Sequence, residues 1–382
     1  METPILRDTV IEVDLDRIGG NMRQIKAMAG PRTEVAAVVK ADGYGHGALG
    51  IAPALMENGA ALLAVATLSE AVELKQAYPG YPVLIMGLTP DRLLPLVLEY
   101  GIIQTIDTLR QARVLNQLAG ERKQAAVIHI KYDTGFHRIG FPDTGKSLEE
   151  IPEIVSLPWI KAEGFYSHLA LKDDSSNQEQ FERFTKAAGI LENEGCSFRY
   201  KHIADSIAAV DFPEYRLDMI RAGAIIYGLR GFHKGFLDVR QALTFKTRIS
   251  HITCLTAGEG VSYDYLWTAS CDTRVATLPF GYGDGYPRNL RGKAMVTLRG
   301  RRVPVVGVIC MDQCIIDLTD VPEAQIGDEV IIYGDGSHGT LDIDEVSRLA
   351  GTNKNEIAAR LTRRSPRIYV TGRPQAEKGV TL

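Results

Sequence analysis

The sequence predicts an α/β protein in two parts: an N-terminal (β/α)8 TIM-type barrel over residues 1–236 and a mostly-β C-terminal domain over residues 237–382. The chain has 382 residues, more than one compact core usually covers, so two domains are expected. Short apolar runs alternate with helical patterns up to about residue 235, as in a barrel of parallel strands. Beyond that point, Thr/Val/Ile-rich segments separated by glycine turns indicate antiparallel strands.

The N-terminal part supplies the candidate barrel strands, after an apolar run at Val10–Val13 and a helical stretch from Leu15 to Ala29. The strands are predicted at Val35–Val39, Leu62–Val65, Val83–Met86, Ile103–Ile106, Ala126–Tyr132, Ala162–Tyr166, Tyr200–Ile203 and Met219–Tyr227. Helical patterns between them include Ile51–Asn58, Leu68–Ala77, Leu93–Tyr100, Thr108–Ala119 and Gln178–Glu194. Because alternation alone does not show that a sheet closes, a doubly wound sheet is the alternative fold.

The C-terminal part is predicted to consist mainly of short strands. They are expected at Phe245–Cys254, Arg274–Leu278, Lys293–Leu298, Val303–Val308, Cys314–Leu318 and Glu329–Tyr333. Two helices, roughly Ile343–Ala350 and Lys354–Leu361, close this domain.

Composition narrows the functional class and the compartment. The formal net charge of −4 gives no basic surface for nucleic acid, and no apolar run is long enough to cross a bilayer. The N-terminus lacks the basic and apolar regions of a signal peptide, which predicts a cytoplasmic protein. The 5 cysteines and 8 histidines form no metal-ligand pattern, so no metal is expected and the thiols are predicted to be free.

The stretch from Ala36 to Gly47 places a lysine where a buried strand meets a glycine-rich turn. Lys40 ends the apolar run. A lysine at the mouth of an apolar core is costly to bury as a cation, so its pKa readily falls and its amine becomes nucleophilic. A lysine that only ends a strand and extends into solvent is the alternative interpretation.

Polar residues follow several of the other predicted barrel strands. Lys131 and Asp133 end one strand, His168 follows another, Asp205-Ser206 follow the next, and Arg221 lies in the last. Barrel enzymes place their catalytic groups at the carboxyl ends of the strands. Each residue alone could be structural, but their equivalent positions predict one common site.

The Ala36–Gly47 stretch resembles the pyridoxal phosphate (PLP) lysine motif of the alanine racemases, which are fold-type III enzymes, and the resemblance covers nearly the whole chain. It implies that Lys40 carries PLP covalently and that Tyr44 hydrogen-bonds the phosphate. Ser206 and the backbone of Gly223 and Ala224 resemble the rest of the phosphate cradle.

The same resemblance implies a two-base mechanism. Lys40 and Tyr263 would exchange a proton on opposite faces of the substrate, and relatives bring that tyrosine from a second subunit. His168 resembles the histidine that contacts both this tyrosine and the arginine at the ring nitrogen, here Arg221. A guanidinium cannot accept the ring proton, so the ring would stay neutral and stabilise a carbanion only modestly. An acidic residue occupies this position in the fold-type III decarboxylases, which argues against that class.

Further matches define the substrate side of the predicted site. Arg138 resembles the arginine that contacts the PLP phenolate and the substrate carboxylate. Lys131 resembles the lysine that many relatives carry as a carbamate, although an ordinary ion pair with Asp133 would also explain it. Tyr282, Met311 and Asp312 resemble residues that the partner chain supplies at the substrate entrance in relatives.

Four positions depart from the family pattern. Asp205 stands where relatives usually have asparagine, and a carboxylate repels a phosphate unless a cation screens it. Ala222 replaces a common proline, and Val308 replaces an arginine found in several relatives. Arg363 stands where some relatives carry a pocket tyrosine. It would contact the PLP phosphate or change the room for the substrate side chain.

These observations predict a PLP-dependent amino-acid racemase, with alanine as the first choice of substrate and D-alanine for peptidoglycan as its product. The enzyme is expected to be a cytoplasmic homodimer whose active sites are shared. A racemase of serine or lysine is the nearest alternative. A non-catalytic PLP-binding protein of PLP homeostasis is a second alternative, but those relatives resemble only the barrel.

Overall fold

The computed structural model describes residues 5–372 and contains two sheets. In chain order the strands are β1 (Val10–Asp14), β2 (Glu34–Val38), β3 (Leu62–Val65), β4 (Val83–Ile85), β5 (Ile103–Ile106), β6 (Ala126–Asp133), β7 (Phe141–Pro142), β8 (Ile160–Tyr166), β9 (Tyr200–His202), β10 (Met219–Ala222), β11 (Leu243–Arg248), β12 (His251–Leu255), β13 (Thr273–Leu278), β14 (Met295–Leu298), β15 (Arg301–Val306), β16 (Cys314–Asp317), β17 (Glu329–Tyr333) and β18 (Arg367–Val370). The α-helices are Leu15–Ala29, Ala48–Glu57, Leu68–Ala77, Leu94–Glu99, Leu109–Arg122, Gly145–Ser156, Asp174–Asn193, Ser206–Asp211, Ile343–Ala350 and Lys354–Ala359.

The first sheet is a nearly closed barrel of parallel strands in the order β10-β2-β3-β4-β5-β6-β8-β9, with β7 paired to β6. Backbone bonds close the remaining gap, because Asp218 N–H donates to Lys201 O at 3.2 Å and Arg221 N–H donates to Ala204 O at 3.0 Å. The predicted barrel is therefore confirmed, and the doubly wound alternative is not. All the predicted barrel strands are present, and their apolar side chains are buried as such runs require.

The second sheet has the order β12-β13-β16-β15-β14-β17-β11-β1-β18. Its pairs are antiparallel except for β1 and β18, which run parallel. The mostly-β character predicted for the C-terminal part is confirmed. The N-terminal strand β1 lies in this sheet and not in the barrel, so the chain enters the barrel through the helix Leu15–Ala29.

Two strand predictions are wrong in detail. The run Met219–Tyr227 is not one strand, because β10 ends at Ala222 and a 3-10 turn follows at Ala224–Tyr227. Gly223 breaks the strand by adopting φ −120° and ψ −96°. The run Phe245–Cys254 divides into β11 and β12, which lie at different positions in the second sheet.

Side-chain caps fix where the barrel helices begin. Thr67 accepts a hydrogen bond from Glu70 N–H, and the Glu70 carboxylate accepts one from Thr67 N–H, which completes a capping box. Thr108 and Asp14 also cap their helices, each by accepting one backbone N–H bond without a reciprocal partner. Each helix therefore begins directly after the carboxyl end of a strand, where the loops that carry the site lie.

Membrane-spanning helices and metal sites can be looked for only in the described part of the chain. No helix between residues 5 and 372 has the length and apolarity to span a membrane. Within the same range, no cluster of three or more histidine, cysteine or acidic side chains has the arrangement of a metal site.

Candidate active site

Lys40 follows β2 at the carboxyl end of the barrel and begins an unusual left-handed turn. Ala41, Asp42, Gly43 and Tyr44 have φ angles of 54°, 53°, 62° and 50°. Left-handed backbone costs roughly 1–2 kcal/mol for each residue that carries a Cβ. Such a turn persists only where surrounding contacts hold it, which is a feature of functional sites.

Hydrogen bonds hold the turn along its length. Gly43 N–H donates to Val39 O at 2.8 Å, and Gly45 N–H donates to Ala41 O at 3.0 Å. The Arg367 guanidinium donates to Gly45 O from Nε at 3.0 Å and from Nη2 at 2.9 Å. Because Arg367 belongs to β18, the second sheet supports the loop that carries the barrel lysine.

The Lys40 amine has the electrostatic surroundings of a nucleophile. Burial lowers its pKa, and the nearby Arg138 and Arg221 guanidinium groups lower it further, whereas Glu70 and Asp205 act in the opposite direction. Within residues 5–372 its side chain forms no hydrogen bond or ion pair. The amine is therefore half-buried, loses its proton more readily than a free lysine, and is not bonded to another group in the described part of the chain.

Arg221 lies buried on β10 at the centre of a hydrogen-bond network. Its Nη1 donates to His202 Nδ1 at 2.7 Å, and its Nη2 donates to Ser167 O at 2.8 Å and to Ile203 O at 2.9 Å. A third bond runs from Nη2 to His168 Nδ1 at 3.1 Å. Burial lowers the arginine pKa to about 10, so Arg221 keeps its charge at neutral pH.

His168 is held in one tautomer by this contact. A guanidinium is donor-only, so Nδ1 of His168 must accept, and the neutral ring carries its proton on Nε2. Burial, followed by the charges of Arg221 and Arg138, lowers the pKa of His168 to about 2. The imidazole is therefore neutral and presents one N–H donor. The Phe136 ring lies 5.0 Å from the His168 ring and stacks under the Arg138 guanidinium at 4.3 Å.

Tyr44, Ser206 and Gly223 meet at one end of the site. Ser206 Oγ accepts from Gly223 N–H at 2.8 Å. A side chain at position 223 would place its Cβ 2.9 Å from Tyr44 Oη, so glycine leaves a small cradle between two hydroxyl groups. Burial raises the pKa of Tyr44 to about 12, which keeps its hydroxyl protonated as a hydrogen-bond donor. Ala224, the next residue, begins the 3-10 turn beside the cradle.

Asp205 caps the helix Ser206–Asp211 directly beside this cradle. One carboxylate oxygen accepts from Ile207 N–H and Ala208 N–H, each at 3.0 Å. Burial raises the pKa of Asp205, while these two backbone bonds and Arg221 oppose the change. Asp205, which replaces the asparagine usual in relatives, therefore caps this helix. Ala222 and Val308, two of the three other departures, are both buried.

Lys131 and Arg138 lie on the opposite side of the barrel mouth from β2, in and after β6. Lys131 is buried, and its Nζ donates to Tyr132 O at 2.8 Å. Burial and the charge of Arg221 lower the lysine pKa to about 7, although Asp133 raises it. The Arg138 side chain is exposed, and its charge acts on Lys40, Lys131 and His168.

Four predicted site residues lie together on the surface of the second domain. Tyr263, Tyr282 and Met311 are 68%, 39% and 51% exposed, and Asp312 forms an ion pair with Arg364 at 2.5 Å. Tyr282 N–H donates to Cys310 O at 3.1 Å, which joins two of their loops. Ser262 Oγ donates to Val308 O at 3.0 Å, which joins the third. Within the described residues no hydrogen bond joins Tyr263 to Lys40, and the Tyr263 side chain is largely exposed.

Arg363 lies against the outside of the barrel. Its Nη2 contacts both carboxylate oxygens of Glu73, at 2.9 and 3.1 Å, and its Nε lies 4.0 Å from Asp42. The side chain is 71% exposed. The predicted contact with a phosphate stays a prediction, since the nearest partners of Arg363 are two carboxylates.

Sequence reasoning missed three residues that shape the site. His202 accepts from Arg221, and the Tyr166 ring stacks on His202 with centroids 4.6 Å apart. Tyr166 and His202 each end a barrel strand, and this position could have indicated that they belong to the site. Glu70 accepts from Ala41 N–H at 2.6 Å. Its signal was the sequence Thr67-Leu68-Ser69-Glu70, which matches a capping box before an apolar helix.

Comparison with known proteins agrees with this architecture over nearly the whole chain. The family profile described as "Alanine racemase, N-terminal domain" matches residues 13–231, and "Alanine racemase, C-terminal domain" matches residues 242–369. The alanine racemase of Clostridium tetani is 40% identical over 372 residues, covering 96% of both chains. That of Desulforamulus reducens is 40% identical over 366 residues, covering 94% of this chain and 98% of the relative.

A solved structure gives the same result. The alanine racemase of Clostridium difficile 630 superposes with a TM-score of 0.92 at 33% identity, covering 96% of this chain and 97% of that one. The fold and the paired domains define a class of amino-acid isomerases. The chain belongs to the alanine racemase family, and the family predicted from the sequence is confirmed.

Proposed function

We propose that this protein is a PLP-dependent alanine racemase in which Lys40 and Tyr263 are the two bases. The observation that carries the proposal is the pairing of an uncommitted Lys40 amine of lowered pKa with a buried arginine at the same barrel mouth. Membership of the family supports alanine as the substrate. The match of the second domain at residues 242–369 favours a racemase over a barrel-only PLP-binding protein.

The residues at the barrel mouth fit PLP. Its phosphate suits the cradle of Tyr44, Ser206, Gly223 and Ala224, where hydroxyl groups and backbone N–H groups converge and a larger residue at 223 would block the space. Lys40 would hold the cofactor covalently. When bound, PLP supplies an electron sink that acidifies the Cα–H bond of an amino acid.

Arg221 would set how strongly that sink acts. Nη1 of Arg221 bonds to His202, and Nη2 bonds to His168 and two backbone carbonyls, so the N–H on Nε and the second N–H on Nη1 have no bond in the described part of the chain. A donor facing the ring nitrogen requires that nitrogen to be unprotonated. The carbanion would then be stabilised only modestly, which suits proton exchange and disfavours side reactions. Decarboxylation is accordingly not favoured.

Tyr263 would reach the site from a second copy of this chain. Its 68% exposure, and that of its neighbours Tyr265 at 69% and Leu266 at 53%, forms an apolar surface that a homodimer would cover. The N–H on Nε2 of His168 could then donate to the tyrosine oxygen and stabilise its charged form. This contact would favour the deprotonated hydroxyl and so help Tyr263 to act as a base. Tyr282, Met311 and Asp312 would enter with it and line the substrate entrance.

Arg138 would bind the substrate carboxylate, and Lys131 would hold Arg138 in place. A pKa of about 7 means that a substantial fraction of the Lys131 amine is neutral near physiological pH. Carbon dioxide reacts with the neutral amine, forming an N–C bond and releasing a proton, and the resulting carbamate would pair with Arg138. The alternative is an uncarbamylated Lys131 held by its bond to Tyr132 O and by the nearby charge of Asp133.

The wider assignments follow from the same proposal. We place the domain division between residues 236 and 237, with β1 as an N-terminal strand of the second sheet. All five cysteines are free thiols, which supports a reducing, cytoplasmic compartment. There the product D-alanine would serve peptidoglycan synthesis.

The test is a racemisation assay on purified protein reconstituted with PLP, using L-alanine, L-serine and L-lysine separately. Chiral chromatography should show D-alanine formed with the highest kcat/KM. If kcat/KM is higher for serine or lysine than for alanine, that amino acid is the preferred substrate and the alanine assignment is wrong. Absence of any enantiomer conversion with PLP bound would reject the racemase assignment.

A further inference from the structure

The Glu70 side chain connects the loops after two neighbouring barrel strands. Its Oε1 accepts from Ala41 N–H at 2.6 Å, in the loop after β2. Its Oε2 accepts from Ala66 N–H at 2.9 Å and Thr67 N–H at 3.1 Å, in the loop after β3. The two strands pair in parallel, so both loops lie at the carboxyl end of the barrel. One carboxylate therefore satisfies three backbone donors.

The Ala41 N–H is a critical donor because of where it lies. It belongs to the peptide group that joins Lys40 to Ala41, so fixing it fixes the backbone ψ angle of Lys40. Ala41 is also the first left-handed residue of the turn, at φ 54°. Other bonds run between backbone groups of the turn, such as Gly43 N–H to Val39 O, and Arg367 holds the far end of the turn at Gly45 O. Glu70 is the acceptor that ties the start of the turn to a separate element.

The carboxylate also acts on Lys40 electrostatically. Glu70 raises the pKa of Lys40, against the lowering by burial and by Arg138. Glu70 therefore influences the Lys40 amine in two ways: through the peptide group that it binds, and through its charge.

We infer that Glu70 is a positioning residue for Lys40, fixing the direction of its side chain at the barrel mouth through the Ala41 N–H. The inference deepens the proposed function, because it rests on Lys40 being the PLP lysine. Its rival is that Glu70 only caps the helix Leu68–Ala77 in partnership with Thr67. The two tasks use different bonds, so two variants separate them.

Glu70→Gln removes the turn contact and keeps most of the cap. An amide has one acceptor oxygen, and that oxygen is best used by the two donors Ala66 N–H and Thr67 N–H. The amide NH2 is then left facing Ala41 N–H, which it cannot bind. Thr67→Ala does the opposite, because it removes the hydroxyl that accepts from Glu70 N–H and leaves the Ala41 contact intact.

The experiment follows PLP capture by the apoprotein as a function of pH, by absorbance. Borohydride trapping and peptide mass spectrometry identify the lysine that is modified. In capture, the Lys40 amine adds to the cofactor's aldehyde carbon, an N–C bond forms and one water leaves. The rate therefore rises with the fraction of free amine and, at high pH, reaches a plateau set by amine orientation.

We expect Glu70→Gln to lower the plateau rate by about tenfold or more, in line with the cost of misplacing a reacting group. Its pH midpoint should move to lower pH, because a charge that favours protonated Lys40 is gone. Thr67→Ala should keep the wild-type midpoint and plateau while lowering Tm. Equal midpoints and plateaus in all three proteins would overturn the inference.

Glu70→Asp decides the case if Glu70→Gln does not fold. It keeps the charge but withdraws the carboxylate by one methylene from Ala41. A lowered plateau with a midpoint close to wild type supports the inference, and a wild-type plateau overturns it. If wild-type protein is not modified on Lys40, the proposed function fails and the inference falls with it. That outcome is distinct, because it appears before any variant is compared.

Discussion

The Arg221 guanidinium donates to Nδ1 of His168 at 3.1 Å and so fixes the proton of that imidazole on Nε2. One arginine thereby has two effects at the barrel mouth. Under the proposed function, it would offer a donor to the PLP ring nitrogen and would orient a neutral histidine toward the place where a second copy of Tyr263 enters.

Arg221→Glu should convert the site from selective proton exchange to less selective chemistry. A carboxylate facing the ring nitrogen would hold it protonated and strengthen the electron sink. Racemisation should slow by about 10²-fold or more, because the His168 tautomer is lost as well. Transamination should rise relative to racemisation, measured as pyruvate formed per D-alanine formed. A ratio of pyruvate to D-alanine that stays at the wild-type value would contradict the role assigned to Arg221.

Lys131→Met should change stability in a pH-dependent manner. Burial lowers the native pKa of Lys131 to about 7 from 10.5. Below pH 7 both folded and unfolded chains hold the proton, so the fold bears the full cost of a buried cation. Between about pH 7 and 10.5 the unfolded chain binds more protons, so wild-type stability rises with pH.

The measurement is the free energy of unfolding of both proteins from pH 6 to pH 9.5 in buffer free of carbon dioxide. The stability of Lys131→Met relative to wild type should be most favourable at pH 6 and decline above pH 7. Lys161→Met, which removes a lysine that is 62% exposed, is the control for loss of a charge. A difference for Lys131→Met that is flat across the range would show that Lys131 does not titrate near 7.

Arg363→Tyr tests the roles predicted for Arg363. Because Glu73 holds the guanidinium outside the barrel, we expect the ratio of kcat/KM for L-alanine and L-serine to stay within about threefold of wild type. PLP should bind several-fold more weakly if Arg363 also reaches the phosphate, since charge-assisted hydrogen bonds are the strong ones. Glu73→Gln frees the arginine and should bind PLP at least as tightly as wild type. A change of tenfold or more in the alanine-to-serine ratio would assign Arg363 a role in specificity.

Mixing two inactive variants tests whether the site is shared. Lys40→Ala lacks one proposed base, and Tyr263→Phe lacks the other. A hybrid dimer contains one site with both bases intact, so subunit exchange should restore activity. Mass spectrometry of hybrid dimers confirms that exchange has occurred. Exchange without recovered activity would place Lys40 and Tyr263 in the same chain's site or remove Tyr263 from the mechanism.

The barrel could be predicted from the sequence because its strands are apolar on both faces and end in polar residues. Lys40 and His168 follow such strands, Arg221 lies in the last one, and the structure brings all three to one end of the barrel. The partner of β1 could not be predicted, because Val10–Asp14 looks like any buried strand and its pairing with β11 and β18 depends on tertiary packing.

Backbone geometry limited the prediction of the site itself. Ala41 and Asp42 are ordinary residues in a left-handed conformation that local preference does not favour, and only the contacts around them make it stable. The role of Glu70 was hidden for the same reason, since a capping box explains that residue without reference to Lys40. Tyr263 was found by resemblance alone, and its exposed position in one chain agrees with the proposal that the site needs two chains.

The two-base proposal is that Lys40 and Tyr263 exchange the Cα proton on opposite faces of alanine. Its most direct test is deuterium wash-in at Cα in D2O, measured by mass spectrometry for each enantiomer separately with PLP-loaded Tyr263→Phe. Wash-in should fall by about 10²–10⁴-fold for one enantiomer. It should persist for the other, on which Lys40 acts. Equal loss for both enantiomers, with substrate binding shown to be intact, would contradict the two-base assignment.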